Sequence, residues 1–194
     1  MRETTLQPRT LPHAGRPRSM SGAWLAAWLL CAPAAASAAT YYLSPTGSDS
    51  NSGLSSGAAW ATLSKANATV GAGDVVLLAD GSYSGFPNPS ANGTASARIT
   101  YAGDLATPGN VVVSGGTLNR SYVTLKGMRF NGGAGLGPNG TAVAQYDSVA
   151  WCAMTDFGLS GAKHCMIYGN TITNTGGYAV SFMSSNGDQV PTGF

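Results

Sequence analysis

Residues 122–133, YVTLKGMRFNGG, fall over 143–154, VAQYDSVAWCAM, and over 164–175, HCMIYGNTITNT, when the chain is shifted by 21 residues at a time. Three columns are apolar throughout: Val123, Ala144, Cys165; Leu125, Tyr146, Ile167; and Phe130, Trp151, Ile172. A column of small residues, Gly127, Ser148 and Gly169, lies between them and suits a bend. The columns at 126, 129 and 131 are mostly polar. Two short strands joined by a bend and repeated at a fixed period describe a parallel solenoid, whose passes bury inward side chains only when stacked ~4.8 Å apart. An antiparallel sandwich is the plainer alternative, but no Asn-Gly hairpin joins neighbouring strands at two-residue spacing here.

The rest of the chain agrees. Charged residues make up 9% and hydrophobic residues 43%, with 27 glycines, against a usual charged fraction of roughly 25%. That composition excludes a charged disordered tail, a coiled coil and a basic nucleic-acid arm. Strands are expected at Val75–Leu78, Ile99–Tyr101, Val111–Val113, Tyr122–Leu125 and Met128–Phe130, each closed by Gly, Asn, Asp or Pro. One helix is expected, over Ala58 to Val70, with Trp60, Leu63, Ala66 and Val70 on its apolar face and Ser55 or Ser56 as N-cap.

Residues 1–39 read as a secretory signal peptide. Arg2, Arg9, Arg16 and Arg18 precede the apolar run AWLAAWLLCAPAAA at 23–36, and the small residues Ser37, Ala38 and Ala39 follow it. The run is too short for a bilayer span of roughly 20 residues. Cleavage is expected after Ala38 or Ala39, which leaves residues 40–194 as an exported domain, secreted or periplasmic, with no remaining membrane span. Beyond the leader, six Lys and Arg face seven Asp and no Glu. A near-neutral body gives no electrostatic reason to hold nucleic acid. Cys152 and Cys165 remain after cleavage, and their apolar surroundings favour free buried thiols over a disulfide.

Five stretches together resemble one family: YYLSPTGSDSNSGLSSGAAWATLSKA at 41–66, GAGDVVLLADGSYSG at 71–85, ARITYAGDLATPGNVVVSGG at 97–116, YVTLKGMRF at 122–130 and HCMIYGNTITNTGG at 164–177. They look like the N-terminal part of the pectate-lyase-like, or pectin-lyase-fold, extracellular proteins. The resemblance implies an all-β fold, a right-handed parallel β-helix with a short N-terminal capping helix. It is less specific for activity, since lyases, hydrolases, epimerases and adhesins share such an opening. The family often stacks asparagines at an inside turn; here that column reads Met128, Val149, Asn170, so only Asn170 conforms.

The family's polysaccharide lyases cleave acidic sugars by β-elimination, with Ca²⁺ on several carboxylates and a Lys or Arg as base. No cofactor is evident from the residues themselves, and Ca²⁺ is implied by the resemblance alone. Under the 21-residue shift, Lys126, Asp147 and Tyr168 form one outward column with Arg129 nearby, a candidate sugar-contacting patch. No two carboxylates share a column, so neither paired glycosidase acids nor a multi-acid metal site is visible. Tyr122, Tyr146, Tyr168, Tyr178 and Trp151 offer rings for sugar stacking, with Tyr146 and Trp151 assigned to the core. The expected function is a carbohydrate-active or carbohydrate-binding exported protein; if an enzyme, a lyase on an acidic polysaccharide. The alternative is a non-catalytic adhesin or structural module. A further step of 21 places Asn186 and Asp188 in inward columns, where burial is costly. The last pass is therefore expected to end there without a capping helix, leaving either more passes beyond Phe194 or self-association through that end.

Overall fold

Val76 and Leu78 are buried while Val75 and Leu77, alternating with them, face outward. That period of two recurs along the chain and sorts its strands into two parallel sheets. The computed structural model describes residues 37–107, 109–138, 144–173, 176 and 179–183. The leader up to residue 36, Tyr178, Asn186, Asp188 and the C-terminal end lie outside the described residues.

Sheet A contains β1 (Thr40–Leu43), β2 (Val75–Leu78), β4 (Ile99–Ala102), β6 (Val123–Lys126), β8 (Ser148–Ala150) and β11 (Met166–Tyr168), paired in that order and all parallel. Sheet B holds the strands that alternate with them. In it β3 (Gly81–Tyr83) pairs with β5 (Val111–Leu118), and β5 with β7 (Arg129–Leu136). The long β7 then carries two lines of shorter strands: β9 (Ala153–Met154) and β12 (Thr171–Ile172) at its start, β10 (Phe157–Ser160) and β13 (Val180–Met183) at its end. Each pass therefore runs up one strand of sheet A, turns a corner, and continues in sheet B. The described residues are mostly β, in parallel sheets as the repeat implied, with one α-helix.

The helix is shorter than expected. α1 spans Leu63–Thr69, and Thr62 is its N-cap, its side chain accepting the Lys65 N–H. Residues 58–62 do not join it because their backbone groups are engaged elsewhere. Trp60 bonds to Tyr42 and Ser44 across β1, while Asp49 Oδ1 accepts the N–H groups of Ala61 and Thr62. The apolar set nevertheless holds: Trp60, Leu63, Ala66 and Val70 are all buried over the end of the sheets.

The register differs from a uniform 21. Thr124 pairs with Ser148, and Ser148 with Met166, so successive passes are 24 and then 18 residues apart, separations that recur in single contacts between neighbouring passes. Their mean is 21, which is why the repeat was visible. The difference resides in the connections from sheet B back to sheet A, 137–147 after β7 but only 161–165 after β10. The apolar columns become Leu125–Val149–Ile167, buried except at Ile167, and Phe130–Met154–Ile172. Tyr146 and Trp151, expected inside, are instead 40% and 44% exposed. Tyr101, Phe130 and Phe157 are the large rings that fill the core.

Candidate functional site at the corner between the sheets

A chain leaving sheet A for sheet B must turn sharply, and at this corner the residue after the strand takes left-handed dihedrals: Gly127 (φ 66°), Trp151 (φ 50°) and Gly169 (φ 65°). Glycine occupies such positions freely, whereas a side chain there costs roughly 1–2 kcal/mol. Trp151 stands alone among glycines. Its indole lies over Gly169, where an added Cβ would sit 2.7 Å from the ring's Cδ1. Tyr168 packs nearly perpendicular to it, ring centroids 4.9 Å apart at 81°. Gly169 thus serves twice, as the turn residue of its own pass and as the floor beneath the neighbouring indole.

Two cations stand at the same corner in the preceding pass. Lys126 ends β6 immediately before Gly127, and Arg129 opens β7 two residues after it. The corner therefore carries one half-buried and one exposed cation in the pass preceding Trp151, and Tyr168, 41% exposed, in the pass following it. Along sheet A, Lys126, Ala150 and Tyr168 form one row, with Ala150 fully buried between the other two. Three of the four residues selected from the sequence, Lys126, Arg129 and Tyr168, flank this one corner.

Asp147 does not join them. The stacking of Lys126 on Asp147 expected from a uniform 21-residue step is replaced by Lys126 on Ala150, because the real step is 24. Asp147 is fully buried, with Oδ1 accepting the Val123 N–H at 2.7 Å and Oδ2 without a partner. Burial pushes its carboxyl up to about 7, against the opposing pull of the Val123 N–H and the positive charge of Arg98. Arg98 itself lies across the outer face of sheet A. Its guanidinium donates to Thr124 Oγ1 (3.0 Å), the Val123 carbonyl (3.0 Å) and Ser148 Oγ (3.2 Å), tying three passes together.

The corner at the other end of the sheet A strands is built differently. Tyr122, Tyr146 and His164 all take positive φ, 59°, 58° and 54°. Their rings stack face to face, with centroids 4.9 and 4.8 Å apart at 10° and 11°. Each stacked pair contributes roughly 0.5–1.5 kcal/mol, which offsets much of the left-handed cost. Tyr146, between the other two, has both of its faces covered by the stack.

The remaining carboxylates are occupied singly. Asp49 bonds Thr62, Asp74 takes the N–H groups of Ala39 and Gly71, Asp80 bonds Asn110, Asp104 caps Ala106 and Thr107, and Asp156 bonds Thr155. No group of three or more His, Cys, Asp or Glu able to hold a metal ion occurs among the described residues. A Ca²⁺ site of several carboxylates does not fit this part of the chain. Cys152 and Cys165 are free thiols; burial pushes the Cys152 thiol up to about 11 and raises that of Cys165. No helix among the described residues is long and apolar enough to cross a membrane.

The sequence reading missed Trp151 and Arg98 as surface residues. Aligning K-G-M-R, A-W-C-A and Y-G-N-T at 126–129, 150–153 and 168–171 on their turn residue places Trp151 in the glycine column.

No protein-family model and no curated protein matches the chain. Among solved structures it is similar to a rhamnogalacturonan lyase, at 22% identity and a TM-score of 0.42, over 70% of this chain and 43% of that one. It is also similar to a GH136 lacto-N-biosidase from Eubacterium ramulus, at 16% identity and a TM-score of 0.38, over 63% of this chain and 27% of the other. The chain spans less than half the length of either protein.

Proposed function

We propose that this chain is the N-terminal part of an exported right-handed parallel β-helix that binds an acidic polysaccharide at the corner carrying Trp151. The strand connectivity supports that handedness. Successive strands of sheet A are parallel and connected through sheet B, a crossover that is right-handed in about 98% of cases. The observation that carries the binding reading is Trp151: a large, half-exposed ring held at φ 50° where the passes on either side use glycine. Strain kept at an exposed aromatic points to use of that ring. An indole face suits the C–H face of a pyranose ring, and Lys126 and Arg129 beside it select a carboxylate-bearing sugar over a neutral one. Tyr168 sets the edge of the platform.

Binding without cleavage is the form best supported by these residues. β-Elimination needs the uronate carboxylate neutralised and a base at C5; Lys126 and Arg129 supply cations, but among the described residues no carboxylate cluster accompanies them. The experiment incubates the protein with several uronate polymers and with neutral polymers, with and without Ca²⁺. It follows retention in affinity electrophoresis and ultraviolet absorbance of unsaturated products. Retention by acidic polymers alone, with no rise in absorbance, is expected. A rise in absorbance would establish a lyase, and no retention by any acidic polymer would overturn the reading.

A further inference from the structure

Asp74 is 8% exposed, at the start of the interior column that continues through Ile99 and Val123 to Asp147. Its Oδ1 accepts the backbone N–H of Ala39 at 2.8 Å, and its Oδ2 that of Gly71 at 2.8 Å. Ala39 in turn accepts the Val75 N–H at 2.9 Å. Ala39 is thus tied into sheet A on both sides, whereas Ser37 and Ala38 are exposed. A buried carboxylate that receives only neutral N–H groups keeps an uncompensated negative charge, which a nearby cation would relieve. The two cuts permitted by the small residues differ here. Cleavage after Ala39 removes both of its hydrogen bonds, while cleavage before it keeps both and turns the donor at Asp74 into an ammonium.

We infer that the leader is removed between Ala38 and Ala39, and that the new α-ammonium of Ala39 is captured by Asp74 as a partly buried ion pair closing the first strand. The inference rests on the secretory leader read from the sequence and is independent of the sugar-binding proposal. Hydrolysis breaks the Ala38 C–Ala39 N bond. The hydroxyl of water goes to the Ala38 carboxyl, and the departing nitrogen takes up protons to become the ammonium that donates to Oδ1. Asp74 is therefore a positioning residue for the processed terminus, and processing strengthens the fold it releases.

The test expresses the full chain in an exporting host and determines the N-terminus of the exported protein by mass and sequencing. Ala39 is the expected first residue. Ala38→Leu leaves Ser37 and Ala39 as small residues for the alternative cut, and should shift the terminus to Thr40 or block processing. The second readout is the rate at which an acylating reagent modifies the α-amine near neutral pH. Wild type should react about tenfold more slowly than Asp74→Asn, since the ion pair withholds the free amine. Should Asp74→Asn fold poorly, the same rate is compared for wild type with and without urea, where protection should vanish on unfolding. A mature protein starting at Thr40 or elsewhere, or an α-amine equally reactive with and without the Asp74 carboxylate, overturns the inference.

Discussion

The carboxylate of Asp147 accepts the backbone N–H of Val123, directly opposite it in the preceding pass, at 2.7 Å, and leaves its other oxygen buried without a partner. A side chain thus supplies a bond that the β-ladder would otherwise make. Asp74 does the same for Ala39, and Asn170 for Cys152. In each case the side chain reaches across to the neighbouring pass and satisfies a backbone donor.

Asp147 makes stability depend on pH. Its carboxyl is raised from the usual 3.8 to about 7 in the fold, so the native state holds a proton that the unfolded chain releases. Stability from this group is full below the unfolded value and falls as pH rises towards the folded one. Urea titrations should show wild type losing roughly 2–3 kcal/mol between pH 5 and pH 8, and Asp147→Asn losing much less. A wild-type curve that is flat over this range would show the carboxyl is not held neutral.

How much of this was legible in the sequence turns on the same geometry. Short apolar runs such as Val75–Leu78 and Tyr122–Leu125, each closed by turn residues, marked strands, and the mean period revealed stacked passes. The individual steps of 24 and 18 were hidden because the variable connection at 137–147 contributes no apolar pattern. Trp151 was misplaced for a physical reason too: a large aromatic in an apolar column reads as core, and only its left-handed backbone moves it to the surface. Lys126, Arg129 and Tyr168 flank the turn in either register, whereas the placement of Asp147 depended on the exact step.

Gly169 and Trp151 are coupled. Gly169→Ala places a methyl group against the indole at φ 65° and should cost roughly 2–3 kcal/mol. In a Trp151→Gly background only the backbone term remains, so the cost should fall to about 1 kcal/mol. Denaturant midpoints of the two singles and the double variant give the coupling. Additive effects would mean the ring does not rest on Gly169.

The corrected columns separate two aromatic substitutions. Phe130→Ala opens the interior beside Met154 and should cost roughly 3–5 kcal/mol. Tyr146→Gly removes an exposed stacked ring but also its left-handed strain, and should stay within about 1 kcal/mol of wild type. Thermal or urea unfolding of the two variants decides it. A reversed order would restore the uniform 21-residue register.

The proposed site centres on Trp151 as the ring that an acidic sugar meets. Calorimetric titration of wild type and Trp151→Gly with a uronate oligosaccharide, each checked for unchanged folding by circular dichroism, tests it directly. The expected result is measurable binding by wild type that weakens with added salt, and at least about tenfold weaker binding by Trp151→Gly, the loss of one good stacking contact. Equal affinities in two equally folded proteins would contradict the assignment of the corner as the binding site.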